Sequence, residues 1–256
     1  MRVCIFCSEQ ASSKEDSWPL WLMRYLPSNG SIEAERGGSP LGTWRRPKAN
    51  LRIRCVCETC NNGWMSRLEN RVKPIVLGLI EDKLKLIASD AQSMLTLWAV
   101  KNAMVYENLY PKRPRWYQDD ERYQLCIDNA IPHRTSVWLA KCIGHPGAFC
   151  KARDLSGPLP QAMGECHTYA TTMAFGSLAL QVVSSHLPAT VPLDTKITND
   201  LKPGPWNDAT IRIWPASSQP RAWSPKVGLN GVLGLDEFSD RFLVGTEGPD
   251  PTRMAV

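Results

Sequence analysis

No apolar run in this 256-residue chain approaches the ~18 residues that a membrane-spanning helix requires. No low-complexity tract interrupts it. Histidine is scarce: there are four, and none precedes His133, so a site built from the first half has no imidazole of its own. The nine cysteines are an odd number, which excludes a fully paired disulfide framework. The opening Met1-Arg2-Val3-Cys4 runs straight into a cysteine motif, and no signal peptide is expected before it. Together these absences favour a reducing compartment, the cytoplasm, where closely paired cysteines hold metal.

The chain does carry ample apolar material. A 43% apolar share with ten Trp supplies a core for one large domain or two small ones. The positive charge is uneven. Residues 1–74 hold 12 Lys/Arg against 7 Asp/Glu, whereas the remainder is balanced at 18 of each. A basic first quarter beside a neutral remainder suggests a polyanionic partner for the former.

Two cysteine hairpins organise the first quarter. Cys4-Ile5-Phe6-Cys7 opens the chain, and Cys57-Glu58-Thr59-Cys60 is followed at once by Asn61. Two intervening residues let both sulfurs of a pair face one tetrahedral ion at about 2.3 Å. Four thiolates close such a site and leave no position for substrate, so Cys4, Cys7, Cys57 and Cys60 are expected to hold a structural zinc. Cys55 offers a rival register, in Cys55-Val56-Cys57. The two-residue gap favours Cys57 and Cys60 and leaves Cys55 in a strand. Cys142, His145, Cys150, Cys166 and His167 are candidates for a second site, but their spacings are irregular.

The elements follow from pattern. Pro19 and Leu20-Trp21-Leu22 predict a turn and a short helix to about Leu26. Residues 27–50 are rich in Gly and Pro and read as a long loop, ending in the basic stretch Trp44-Arg45-Arg46-Pro47-Lys48. Leu51–Val56 alternates as a strand, with Arg52 and Arg54 on one face and Leu51 and Ile53 on the other. A helix is expected from Asn61 or Asn62 as N-cap to Pro74, a second over 75–88, and a third from Ser89 or Asp90 to about Leu109. The apolar stripe of the third is broken only by Lys101. From residue 115 onward the pattern turns to strands: Ser136–Cys142, Tyr169–Phe175, Leu178–Ser184 and Thr210–Trp214, with Gly176-Ser177 closing a hairpin. Trp98, Trp138 and Trp214 are candidates for the core. The expected class is α+β: a zinc-stapled module over residues 1–74, then a helical segment and an antiparallel sheet over 75–256.

The stretches CIFC, KEDSWPLWL and CVCETCNNGWMSRLE, in that order, resemble the HNH endonucleases, the treble-clef or ββα-metal nucleases. The likeness covers residues 1–74. It implies hydrolysis of DNA phosphodiesters by a divalent ion, Mg²⁺ or Mn²⁺, that binds the scissile phosphate and the leaving oxygen. Matched position by position, Glu15 falls on the acidic metal ligand, Asn61 on the helix-borne ligand, and Asp16 where the family's general-base His stands. An Asp is the weaker base, with an ordinary pKa near 3.9 against about 6.5, which at partial Brønsted sensitivity implies a rate roughly 10- to 100-fold lower. Asp16 could equally be a second metal ligand, and Glu69 could reach the same ion. Arg45, Arg46, Lys48, Arg52 and Arg54 would hold the DNA backbone, with Trp44 available for stacking. The remainder of the chain would position substrate or mediate assembly, with itself or another protein. The other expectation is a catalytically silent zinc-finger-like module that binds DNA or protein.

Overall fold

In a computed structural model, the chain is described over residues 2–16, 18–23, 32–36, 39–44, 52–110, 113–144, 147–158, 165–187, 206–223, 225–241 and 254–255. Its first quarter contains β1 (Ser13–Asp16), α1 (Leu20–Met23), a hairpin of β2 (Ile32–Arg36) and β3 (Ser39–Trp44), and β4 (Arg52–Val56). A helical run follows: α2 (Glu58–Cys60), a π turn over Asn61–Met65, and α3 (Ser66–Ile80). Then come β5 (Leu86–Ile87), α4 (Ser89–Tyr106) with a 3-10 turn over Glu107–Leu109, and α5 (Asp119–Asp128). The rest is β6 (Thr135–Ile143), β7 (Ala148–Pro158), β8 (Glu165–Phe175), β9 (Leu178–His186), α6 (Trp206–Ala209), β10 (Thr210–Trp214), β11 (Arg221–Ala222), β12 (Gly228–Asn230), α7 (Gly231–Asp240) and β13 (Met254–Ala255).

The four expected strands are present as β6, β8, β9 and β10, and Gly176, at φ 56, turns the β8–β9 hairpin. The sheet differs from the expectation in being mixed. Antiparallel pairing runs through β6, β9, β8 and β7, but β2 lies parallel to β7 and β12 parallel to β6. The first of those parallel contacts comes from the stretch read as loop over residues 27–50. Its Gly and Pro residues suggested no element, yet Ile32–Arg36 and Ser39–Trp44 pair antiparallel on the edge of the large sheet.

Both faces of the sheet are covered, which is why β6 and β9 carry apolar residues on both of their faces. Along β6, Val137 and Leu139 face one core, while Trp138, Ala140 and Cys142 face the other. The first core also contains α3, α4 and the cysteine module; the second is closed by α7, through Leu235 and Phe238. Trp98 and Trp138 are buried, and Trp214 packs at the margin. Helix α4 lies between the sheet and the cysteine module, so almost everything from Leu95 to Tyr106 is buried, the polar residues included.

Three helix boundaries are corrected. The helical run at the second cysteine pair opens at Glu58 with Cys57 as its N-cap, not at Asn61 or Asn62, because the Cys57 sulfur accepts from the Cys60 N–H at 3.3 Å, and it kinks at Gly63 before α3. Pro74 does not end the helix. It sits on the exposed side of α3, where the carbonyl its ring leaves without an N–H faces water. The helix expected over 75–88 is therefore the last turn and a half of α3, and its remainder is a turn leading to β5. Finally, α5 occupies ground read as strand; Glu121 accepts from the Gln118 N–H at 2.8 Å and caps it. The boundary expected at Pro74 thus falls inside one continuous helix.

Candidate metal centre

The first cysteine pair rides on a small hairpin at the start of the chain. Val3 bridges Gln10, and the Cys4 N–H donates to the Glu9 carbonyl at 2.8 Å. The Ile5 N–H donates to the Cys55 carbonyl at 2.9 Å, which docks the hairpin on the end of β4. Phe6 is fully buried and meets Trp64 edge to face at 5.0 Å. The second pair opens the helix. These two frames bring the four sulfurs of Cys4, Cys7, Cys57 and Cys60 within 4.8 Å of one another, with Cys7 to Cys57 at 3.6 Å and Cys60 to Cys7 at 3.7 Å. A tetrahedral ion with bonds of about 2.3 Å needs sulfurs about 3.8 Å apart. The four cysteines are therefore compatible with a structural metal such as zinc.

The acid–base balance of the cluster fits a cation. Burial pushes the Cys7 thiol up to about 11, and it pushes Cys60 up as well. Burial acts on Cys57 in the same sense, but the Cys60 N–H and the neighbouring thiols outweigh it and hold Cys57 below the ordinary value. Cys57 thus ionises more readily than Cys7 and Cys60, and a bound cation would supply the charge that ionises those two. Cys55 belongs to β4, outside the cluster, and burial raises it to about 12. Of the five candidates for a second site, Cys142 and Cys150 lie on opposite faces of the large sheet and His145 is outside the described residues. Among the described residues the four cysteines are the group of His, Cys, Asp and Glu side chains close enough to hold a metal.

Glu15 and Asp16 lie on β1 and Asn61 follows Cys60 directly, and each is held by a protein group. Strands β1 and β4 run antiparallel, with Glu15 opposite Ile53 and Asp16 opposite Arg52. Glu15 turns inward, 6% exposed, and its Oε1 accepts from Lys101 Nζ at 3.1 Å. The same ammonium donates to Glu69 Oε1 at 3.0 Å. Burial raises the Glu15 pKa, Lys101 pulls it down and Glu69 pushes it up, and the balance stays above the ordinary carboxylate value. Burial lowers the Lys101 pKa, but its two carboxylates more than compensate and hold it above the ordinary lysine value, so it remains charged although fully buried. Asp16 pairs with Arg52 Nε at 2.9 Å; burial nonetheless leaves its pKa raised, against the pull of Arg52. Asn61 donates through Nδ2 to Ser13 Oγ at 2.8 Å, tying the start of the helix to β1.

Two of the five basic residues expected to hold DNA fall within the described residues. Arg52 and Arg54 project from the exposed face of β4, and Arg54 Nη1 donates to the Ser12 carbonyl at 3.1 Å. Arg45, Arg46 and Lys48 lie outside the described residues. Lys101 is the residue that pattern reading undervalued. Its one visible signal was a charge inside an apolar stripe, and such a charge must be paired once the stripe is buried. Among the described residues, no helix is long and apolar enough to cross a membrane. No family model, curated protein or solved structure matches the chain.

Proposed function

We propose that this chain is a zinc-stapled nucleic-acid-binding module, built on the HNH-like treble-clef plan and without hydrolytic activity of its own. The observation that carries the reading is Lys101. Its ammonium sits 3.1 Å from Glu15 and 3.0 Å from Glu69, where a catalytic cation would need those carboxylates. A divalent ion there would meet a like charge within a few ångströms in a buried setting, and it would have to displace an ammonium that the carboxylates already neutralise. Binding draws support from the excess of five positive charges in residues 1–74 and from Arg52 and Arg54 on one exposed strand face. The treble-clef plan draws support from a hairpin and a helix start that bring their sulfurs to one point beside an antiparallel strand pair.

The other reading is the metal-dependent endonuclease that the resemblance implies, with Mg²⁺ or Mn²⁺ between Glu15, Asp16 and Asn61. It is favoured by the closeness of the Glu15, Asp16 and Glu69 carboxylates: Glu69 raises the proton affinity of Glu15 and of Asp16, and Asp16 raises that of Glu15. It requires Lys101 to withdraw. A gel-shift and plasmid-nicking experiment on one preparation separates the two. The expected result is a shift that weakens with salt while closed-circular plasmid stays intact in Mg²⁺, Mn²⁺ and Ni²⁺. Metal-dependent nicking by the wild type that disappears in both Glu15→Ala and Asn61→Ala would establish the nuclease instead.

A further inference from the structure

A cleft of about 200 Å³ opens between β4 and the segment that follows α4. Four arginines line it, from three separated parts of the chain: Arg2 on the opening hairpin, Arg54 on β4, and Arg113 and Arg115 beyond the 3-10 turn. Among the described residues the one carboxylate in the lining is Glu107, and it is not available to Arg2, Arg54 or Arg115. It is fully buried, with Oε2 accepting the Trp116 N–H at 2.7 Å and Oε1 held by the Arg122 guanidinium. Arg115 meets Asp119 loosely, at 3.7 Å, and that aspartate is 91% exposed. Arg54 uses one N–H on the Ser12 carbonyl and keeps the rest of its donors.

Guanidinium groups gathered around one concavity repel one another. The fold brings Arg2, Arg54 and Arg115 together from distant segments, and the carboxylate in the lining is already committed to Trp116 and Arg122, so the cleft is poised for an anion from outside. Planar donor forks suit the oxygens of a phosphate, which can take paired charge-assisted bonds from more than one arginine. We propose that this cleft binds a phosphate group. The nucleic-acid reading above identifies its source as a backbone phosphate, and only that identification rests on the reading; the alternative source is a free phosphate.

The test uses the full-length, zinc-loaded chain. Inorganic phosphate is titrated by NMR chemical shifts, and a short fluorescein-labelled DNA strand by anisotropy over a range of salt. The wild type is expected to bind both, with phosphate competing against the strand. The Arg54→Gln/Arg115→Gln double variant should lose about tenfold or more for each ligand, the size of one charge-assisted hydrogen bond. Its slope of log affinity against log salt should fall by about 0.9 for each phosphate that is no longer neutralised. Circular dichroism checks its fold. Arg2→Gln, on the exposed opening segment, gives a second and milder loss without touching β4. Lys226→Gln, whose lysine pairs with Asp208 elsewhere, should change nothing. Phosphate binding that the variants lose, with no DNA binding at all, would uphold the cleft, assign it to free phosphate and end the nucleic-acid reading. DNA binding equal in wild type and variants would overturn the cleft and leave that reading standing on another surface. Failure of both ligands to bind would overturn both.

Discussion

Lys101 Nζ lies 3.1 Å from Glu15 Oε1, and both side chains are buried. One is on the helix at the centre of the molecule and the other on the first strand of the cysteine module, so this pair joins the two across 86 residues of sequence. A charge buried this deeply is tolerated only because its partners are fixed. Removing one partner leaves the others uncompensated.

Lys101→Met keeps the apolar stem and removes the charge. At neutral pH it should cost on the order of 3–5 kcal/mol, the usual consequence of leaving buried charge unpaired. The cost should depend on pH. Without the ammonium, burial and Glu69 act on Glu15 unopposed, so its folded-state pKa rises further above 4.5. A group raised in the folded state contributes stability that is fully present below its unfolded value and is lost as pH rises through the folded value. The variant should therefore stand closest to wild type near pH 4 and fall behind as pH increases. In the wild type, the raised pKa of Lys101 keeps its contribution intact below 10.5 and withdraws it only at higher pH. Urea unfolding across pH measures both. A variant penalty that is constant with pH would contradict the pairing.

Asn61→Ala removes the Nδ2 bond to Ser13 Oγ. If that bond is the role of the side chain, stability falls by about 0.5–1.5 kcal/mol and affinity for DNA is unchanged. A variant of wild-type stability with altered DNA processing would return Asn61 to the catalytic role that the resemblance implies.

The cysteine cluster predicts one tightly held zinc per chain. Cys57→Ser should lower the zinc content seen by elemental analysis, whereas Cys55→Ser, outside the cluster, should leave it at one. Structural zinc sites contribute on the order of 10 kcal/mol to folding, so chelation should unfold the first quarter. Trp64 packs on Phe6 beside the sulfurs and would report that unfolding by fluorescence. Retention of the native emission after complete zinc removal would show that the ion is not a staple.

Phe6→Ala tests the packing under the first hairpin. The ring is fully buried, so its removal should cost about 3–5 kcal/mol in thermal or urea unfolding. A cost under about 1 kcal/mol would mean that the hairpin is not docked as described.

The cysteine centre was legible because its information is local. Two residues between cysteines state their own geometry, and the 3.6-residue pattern of α4 and the alternation of β4 are likewise contained in short windows. What escaped reading depended on distant partners. The β2–β3 pair comes from a Gly- and Pro-rich stretch and becomes part of the sheet only by pairing with β7, more than a hundred residues away. Strand β7 carries Lys151, Arg153 and Asp154 among its apolar residues, and they break its pattern. Helix α5 is largely polar and is fixed by its cap rather than by an apolar stripe. Pro74 reads as a stop, and only its exposed placement allows α3 to continue. Pairing of Glu15 with Lys101 was beyond sequence reading for the same reason: a carboxylate beside the cysteines looks like a metal ligand until its neighbour from another helix is known.

The most direct test is anomalous X-ray scattering from crystals grown with manganese, collected at the zinc and manganese edges. The account predicts one zinc peak enclosed by the sulfurs of Cys4, Cys7, Cys57 and Cys60, and no manganese peak between Glu15 and Glu69, where Lys101 Nζ should be seen. Manganese bound to those two carboxylates, with Lys101 swung away, would contradict it and restore the hydrolytic reading.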